Sequence, residues 1–176
     1  VTLNKNRPFI DDDSKSLATL QSEWITVGVI DATAGAADGA LGVTERNFST
    51  SGILANSVQE LAIPPSWNSI EVQLESATDD ENSVIDVYVG RALSDVAKRV
   101  CTLTCTTGTQ TGDGSGLKLV DTITVTNEKW YSAITVLSGV ANHAAGIMFD
   151  LQGYSKIMFH GHTTVDGDLT VKIAGI

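Results

Sequence analysis

The chain has 176 residues, with 11 Lys and Arg against 21 Asp and Glu, a formal net charge of −10, 42% hydrophobic residues and 18% charged ones. That is about one domain's length with enough apolar content to build a core, which excludes a disordered chain, since disorder pairs low hydrophobicity with high charge. No apolar run approaches the roughly 18 residues that span a bilayer and no signal-peptide pattern opens the sequence, while an acidic chain repels phosphate, so neither membrane nor nucleic acid is expected as a direct partner.

Residues 1–22 are polar and mixed, with Asp11, Asp12 and Asp13 at their centre and no sustained period of 2 or 3.6. They predict an irregular N-terminal arm, and residues 23–176 a single domain. Trp24 to Ile30 is the first strand candidate, and the small residues from Asp31 to Gly42 form a loop. Asn47 to Ala62 is ambiguous: Ile53, Leu54, Val58 and Leu61 fit a helical stripe, yet Ser, Thr and Gly crowd its start, and Pro64-Pro65 ends it.

From Trp67 onward short apolar alternations recur between Gly, Asn, Asp and Ser clusters. Trp67–Glu75 sets Ile70, Val72 and Leu74 on one face, and Ser83–Gly90 does the same for Ile85, Val87 and Val89. Arg99–Thr106, Leu117–Thr126, Ala133–Ser138, Ala144–Leu151, Tyr154–His162 and Leu169–Ala174 complete about nine strands near ten-residue spacing. Without crossover helices these strands must pair antiparallel. The predicted fold is an all-β antiparallel sandwich, jelly-roll-like, with an irregular N-terminal arm.

A register follows for the last two strands. With a three-residue turn at Val165-Asp166-Gly167, Gly161 faces Val171 and Phe159 faces Ile173, which keeps one face apolar. His160 and His162 then share the opposite face with Met158, Thr170 and Lys172, a partly exposed sheet face or subunit contact.

Cys101 and Cys105 lie on one predicted strand, separated by about 13 Å, beyond the roughly 7 Å between Cα atoms that a disulfide spans. They read as small buried apolar residues in a protein made in a reducing cytoplasm. His160 and His162, at i and i+2 on a strand, project to one side about 6.5 Å apart and are the metal-ligand candidates. No spacing ties them to a third ligand among His143, Asp150 and Asp166, so no metal and no cofactor is expected.

The acidic groups Asp11-Asp12-Asp13, Asp79-Asp80-Glu81 and Asp166-Gly167-Asp168 lack the EF-hand spacing and read as solvated turns and arm. Thr107–Gly116 is Gly-rich without the lysine of a phosphate loop, and no G-x-S-x-G frames a nucleophilic serine. The aromatic residues Trp24, Trp67, Trp130, Tyr131, Tyr88 and Tyr154 fit core or rim packing, with a sugar-binding face as the alternative. No catalytic residues emerge.

Ile85-Asp-Val-Tyr-Val-Gly-Arg91, Gly108-Thr-Gln-Thr111, Asp121-Thr-Ile-Thr-Val-Thr126, Phe149-Asp-Leu-Gln-Gly-Tyr154 and the closing Asp168 to Ile176 resemble small β-sandwich virion proteins of tailed bacteriophages, over roughly residues 67–176. That resemblance implies a non-enzymatic virion component, synthesised in the host cytoplasm: a capsid decoration or cement protein, with a fibre, tail or host-surface glycan-binding module as the alternative. Its partners would be the major capsid protein or other virion proteins, and a homo-oligomer is expected from the common rule of closed symmetry. The low charge agrees, because Thr, Ser and Asn cost less to order at an interface than Lys and Glu. The contact residues expected are those of the arm, Arg7, Pro8, Phe9 and Ile10.

Overall fold

The computed structural model describes residues 25–30, 43–51, 57–60, 63–76, 82–106, 118–119, 122–131, 134–137, 146–163 and 169–175. Its elements are β1 (Ile25–Ile30), β2 (Glu45–Asn47), one helical turn α1 (Phe48–Ser51), β3 (Ser57–Glu60), β4 (Ser69–Ser76), β5 (Asn82–Gly90), β6 (Val96–Thr106), β7 (Lys118–Leu119), β8 (Thr122–Asn127), β9 (Ile134–Leu137), β10 (Gly146–Asp150), β11 (Lys156–Thr163) and β12 (Leu169–Gly175). Two antiparallel sheets result. The first runs β1-β12-β4-β10-β9, with β7 also on β4; the second runs β2-β6-β5-β11-β3, with β8 also on β6.

The apolar alternation explains the packing. Ile70, Val72 and Leu74 of β4, with Val171 and Ile173 of β12, meet Ile85, Val87 and Val89 of β5 and Ile157 and Phe159 of β11 in one buried cluster between the sheets. Each such side chain contributes about 1.5–3 kcal/mol on leaving water. The all-β antiparallel sandwich expected from the strand pattern is the observed fold. Among consecutive strands of the described residues, only β5 with β6 and β9 with β10 hydrogen-bond to each other. Most other connections pass from one sheet to the other, as in a jelly roll.

That connectivity corrects the register expected for the last two strands. β11 pairs with β5 and β3, whereas β12 pairs with β4 and β1, so Phe159 sits beside Val87 and Val58 in register, and Ile173 beside Val72 and Ile25. Phe159 and Ile173 do share the core, but from opposite sheets. Alternation identifies which face of a strand is buried; it does not say whether the apolar partner lies alongside or across the sandwich. The ambiguous stretch from Asn47 is also resolved in part, as the end of β2, one turn of helix and then β3 rather than a long helix. Cys101 and Cys105 form no disulfide with each other and are buried in the core, as expected.

The second sheet is covered on its outer face as well. Residues 43–51 lie against it: Arg99 N–H donates to the Thr44 carbonyl (3.0 Å) and Phe48 N–H to the Asp95 carbonyl (2.8 Å). Phe48 packs with Tyr88, Ala97 and Met158 in a second, smaller cluster. A bulge makes this possible. β6 pairs Cys101 with Val87 but Arg99 with Tyr88, leaving Val100 as the extra residue. Val100 and Cys101 therefore both enter the main core, and Arg99 and Thr102 both turn to the outer face.

Candidate functional site

The outer face of the second sheet buries a polar cluster around Asp86. Thr102 Oγ1 donates to Asp86 Oδ1 at 2.5 Å, the Arg99 guanidinium lies 3.7 Å from Oδ1, and Tyr88 Oη, which donates to the Val43 carbonyl at 2.8 Å, lies 3.3 Å from Oδ2. Arg99 also donates from Nε to Glu128 Oε1 at 2.6 Å. Burial works against the Arg99 charge, yet the bond to Glu128 and the field of Asp86 outweigh it and hold its pKa above the ordinary value. Burial first, and Asp86 after it, pushes the Tyr88 phenol up to about 12, while Arg46, which donates to the same oxygen at 3.0 Å, opposes the shift. Burial likewise pushes the Cys101 thiol up, again reinforced by Asp86. These groups are bound to one another across strands, so the cluster stiffens the sheet.

His160 belongs to that same face. It is fully buried and stands in register with Asp86 on one side and Ser57 on the other. The expectation of a partly exposed position is therefore corrected: residues 43–51 and the neighbouring strands close over a face that alternation alone leaves open to water. His162 is a position of β11, and His143 and Asp166 lie outside the described residues. Asp150 ends β10 in the other sheet, where its carboxylate accepts from Gln152 N–H at 3.0 Å. Among the described residues no group of three or more His, Cys, Asp or Glu converges on a common point. Arg7, Pro8, Phe9 and Ile10, the three acidic groups and the Gly-rich run from Thr107 to Gly116 also lie outside the described residues.

One end of the sandwich carries a different arrangement. Four connections gather there: residues 63–68, 91–95, 128–131 and 151–155. Each turn is closed by its own backbone bond, Trp67 to Pro64, Ser94 to Arg91, Tyr131 to Glu128 and Tyr154 to Leu151, at 2.8–3.0 Å. Further bonds tie the turns together, Ile63 to Ser155, Leu151 to Asn68 and Ser155 to Gly90. In the turn from Leu151, Gln152 and Gly153 both have positive φ (49° and 79°), as a type I′ turn requires. Gly153 accepts that backbone without strain, and the turn delivers Tyr154 to the surface.

A cleft of about 360 Å³ opens between these turns and the ends of β5 and β6, lined by Arg91, Ser94, Val96, Lys98 and Tyr154 over the backbone of Val89 and Gly90. Trp130 stands beside it, half exposed, its ring centre 6.5 Å from that of Tyr154 and edge-on to it. Tyr131 continues the aromatic row inward to Phe149, and its hydroxyl donates to the Asp150 carbonyl. Arg91 lies 5.9 Å from the centre of the Tyr154 ring and Lys98 lies 5.8 Å from that of Trp130, both within cation–π reach. The charged side chains lining the cleft are thus cationic, in a chain of net charge −10. The neighbouring acids are engaged: Glu45 with Lys98 at 3.9 Å, and Asp95 with Ser49.

Of the six aromatic residues weighed for a sugar-binding face, Tyr154 lines this cleft and Trp130 stands beside it, with Tyr131 buried behind them. Trp67 packs on Gly175, Tyr88 belongs to the outer face of the second sheet, and Trp24 lies outside the described residues. Arg91, Ser94 and Lys98 carry no signature as site residues in the sequence. They converge only because the β5–β6 hairpin folds back beside the turn that presents Tyr154. Comparison with family models, with curated proteins and with solved structures finds no match to this chain.

Proposed function

We propose that this protein is a non-enzymatic structural component of a tailed-bacteriophage virion, a decoration protein that coats or stabilises the capsid shell by binding the major capsid protein or another virion protein. The observation that carries the reading is the position of β1. It is the terminal strand of its sheet among the described residues, it directly follows the arm in sequence, and Ile25 and Val29 are 43% and 47% exposed. β3, the outer strand of the second sheet, lies alongside β1, so what β1 offers a neighbouring chain is its outward apolar side chains. The buried ionisable groups Asp86, Arg99 and Tyr88 are engaged in holding strands together, which supports a structural role. Attachment across subunits would stabilise a shell by mass action. Sedimentation through a density gradient tests this: the protein is expected to travel with intact particles, and recovery solely in the soluble fraction overturns the assignment.

The cleft favours a second reading, a fibre, tail or host-surface module that binds glycan. Aromatic rings beside polar and charged side chains in a concavity of several hundred Å³ suit a sugar ring. An array of surface oligosaccharides separates the two, since a pure decoration protein gives no selective hit.

A further inference from the structure

We infer that the cleft between the β5–β6 turn and the Tyr154 turn is a binding site for a carboxylated pyranose, such as a uronic or sialic acid unit of a surface polysaccharide. The inference rests on the carbohydrate-binding reading and adds the ligand's charge and its orientation. Three independent features converge. The first is sign: Arg91 and Lys98 flank the cleft in a chain with nearly twice as many acids as bases, 21 against 11. Lys98 shares its charge with Glu45 at 3.9 Å, which leaves Arg91 as the cation that draws an anion to the cleft. Lys156, the next cation on this end, is turned away by its bond to the Ser94 carbonyl at 2.9 Å, and its ammonium lies 5.1 Å from the Phe48 ring centre.

The second feature is shape. Tyr154 and Trp130 present rings beside the cations, Val96 adds an exposed apolar floor, and Ser94 supplies a hydroxyl. A pyranose has an apolar C–H face and a hydroxylated edge; the face would rest on a ring while the carboxylate meets the guanidinium of Arg91, the side chain built for planar bidentate pairing. Cations already poised over aromatic rings lose less freedom on capturing a ligand. The third feature is rigidity. All four turns that frame this end are closed by backbone hydrogen bonds, and others tie residues 63–68 to 151–155, Ser155 to Gly90 and Glu128 to Val100 of β6, so the groups keep their spacing before a ligand arrives. A macromolecular partner with an acidic surface would need a broad basic face, whereas the cations here converge on a cleft the size of one or two sugar units.

Isothermal titration with four probes tests this: sialyllactose against lactose, and methyl glucuronide against methyl glucoside, with inorganic phosphate as the bare-anion control. Expected is at least tenfold tighter binding of the acidic member of a pair, lost in Arg91→Gln and weakened in Trp130→Ala. Both variants alter surface side chains, and an unchanged melting midpoint verifies their folding. Equal binding of acidic and neutral sugars overturns the charge assignment and leaves the carbohydrate reading standing. Phosphate binding as tight as that of the acidic sugars overturns the saccharide assignment. No heat with any sugar overturns both, as does binding that survives Arg91→Gln and Trp130→Ala together.

Discussion

Asp86 shows how much one buried carboxylate can control. It is fully buried, accepts from Thr102 and meets the charge of Arg99 beside the Tyr88 hydroxyl. Removing one member of a buried ion pair leaves the other uncompensated, at a cost of about 3–5 kcal/mol. Asp86→Ala is expected at the low end of that range, since Arg99 keeps Glu128, and Asp86→Asn is expected to cost less because the amide can still accept from Thr102. Urea unfolding with an unchanged slope is the measurement; midpoints equal to the wild type would show that the cluster is not coupled to the fold. Asp95 offers a pH test at the opposite extreme of burial. Its carboxylate accepts from Ser49 Oγ and Ser49 N–H, which hold its pKa below the ordinary value. A depressed pKa contributes stability above the unfolded value, near about 4, and that stability is lost as pH falls through the folded value. The melting midpoint of Asp95→Asn should therefore lie below the wild type at neutral pH, and the gap should close under acid. A gap that persists at low pH would locate the effect elsewhere.

At the scale of elements, apolar alternation predicted β4, β5 and β9 to β12 closely, because each turns one face to a continuous core, whereas the single strand expected over Leu117–Thr126 is two, β7 and β8, in different sheets. It missed β2 and β3. These are three and four residues long, and Glu45-Arg46-Asn47 has no alternation to display; they are strands because β6 and β11 offer edges to pair with. The bulge in β6 was equally hidden. Strict alternation from Cys101, Leu103 and Cys105 puts Arg99 toward the core, and one extra residue sends it to the other side. The helical turn α1 derives its place from Phe48, whose ring occupies the space that a side chain at Gly90 would need. Phe48→Ala should cost about 3 kcal/mol through lost burial and the cavity left behind. A denaturant midpoint shift below a third of that would mean the second cluster is not needed to hold α1 on the sheet.

For the whole molecule, the main core cluster draws on strands from β1 to β12, and the arm is polar and without apolar periodicity in sequence. Deleting residues 1–20 is accordingly expected to leave the melting midpoint within a few degrees of the full chain while abolishing co-sedimentation with particles. Attachment at the wild-type level by the truncated chain would sink the arm's proposed role, and unfolding would show that it belongs to the core. The cleft is a property of this same scale, since its cations come from one hairpin and its rings from two other connections.

By itself the sequence determined the class: antiparallel strands, two cysteines too far apart to bridge, and a core of Ile, Val, Leu and Phe, all of which follow from local periodicity and composition. Only the tertiary structure decided that β11 and β12 part company into opposite sheets, that His160 is sealed beside Asp86, and that Arg91, Lys98 and Tyr154 share one opening with Trp130 beside it. The reason is physical. Periodicity records which side of a strand avoids water, a property of neighbours along the chain. Partner choice and convergence depend on which distant edges and turns are free to meet, and no stretch of residues carries that alone.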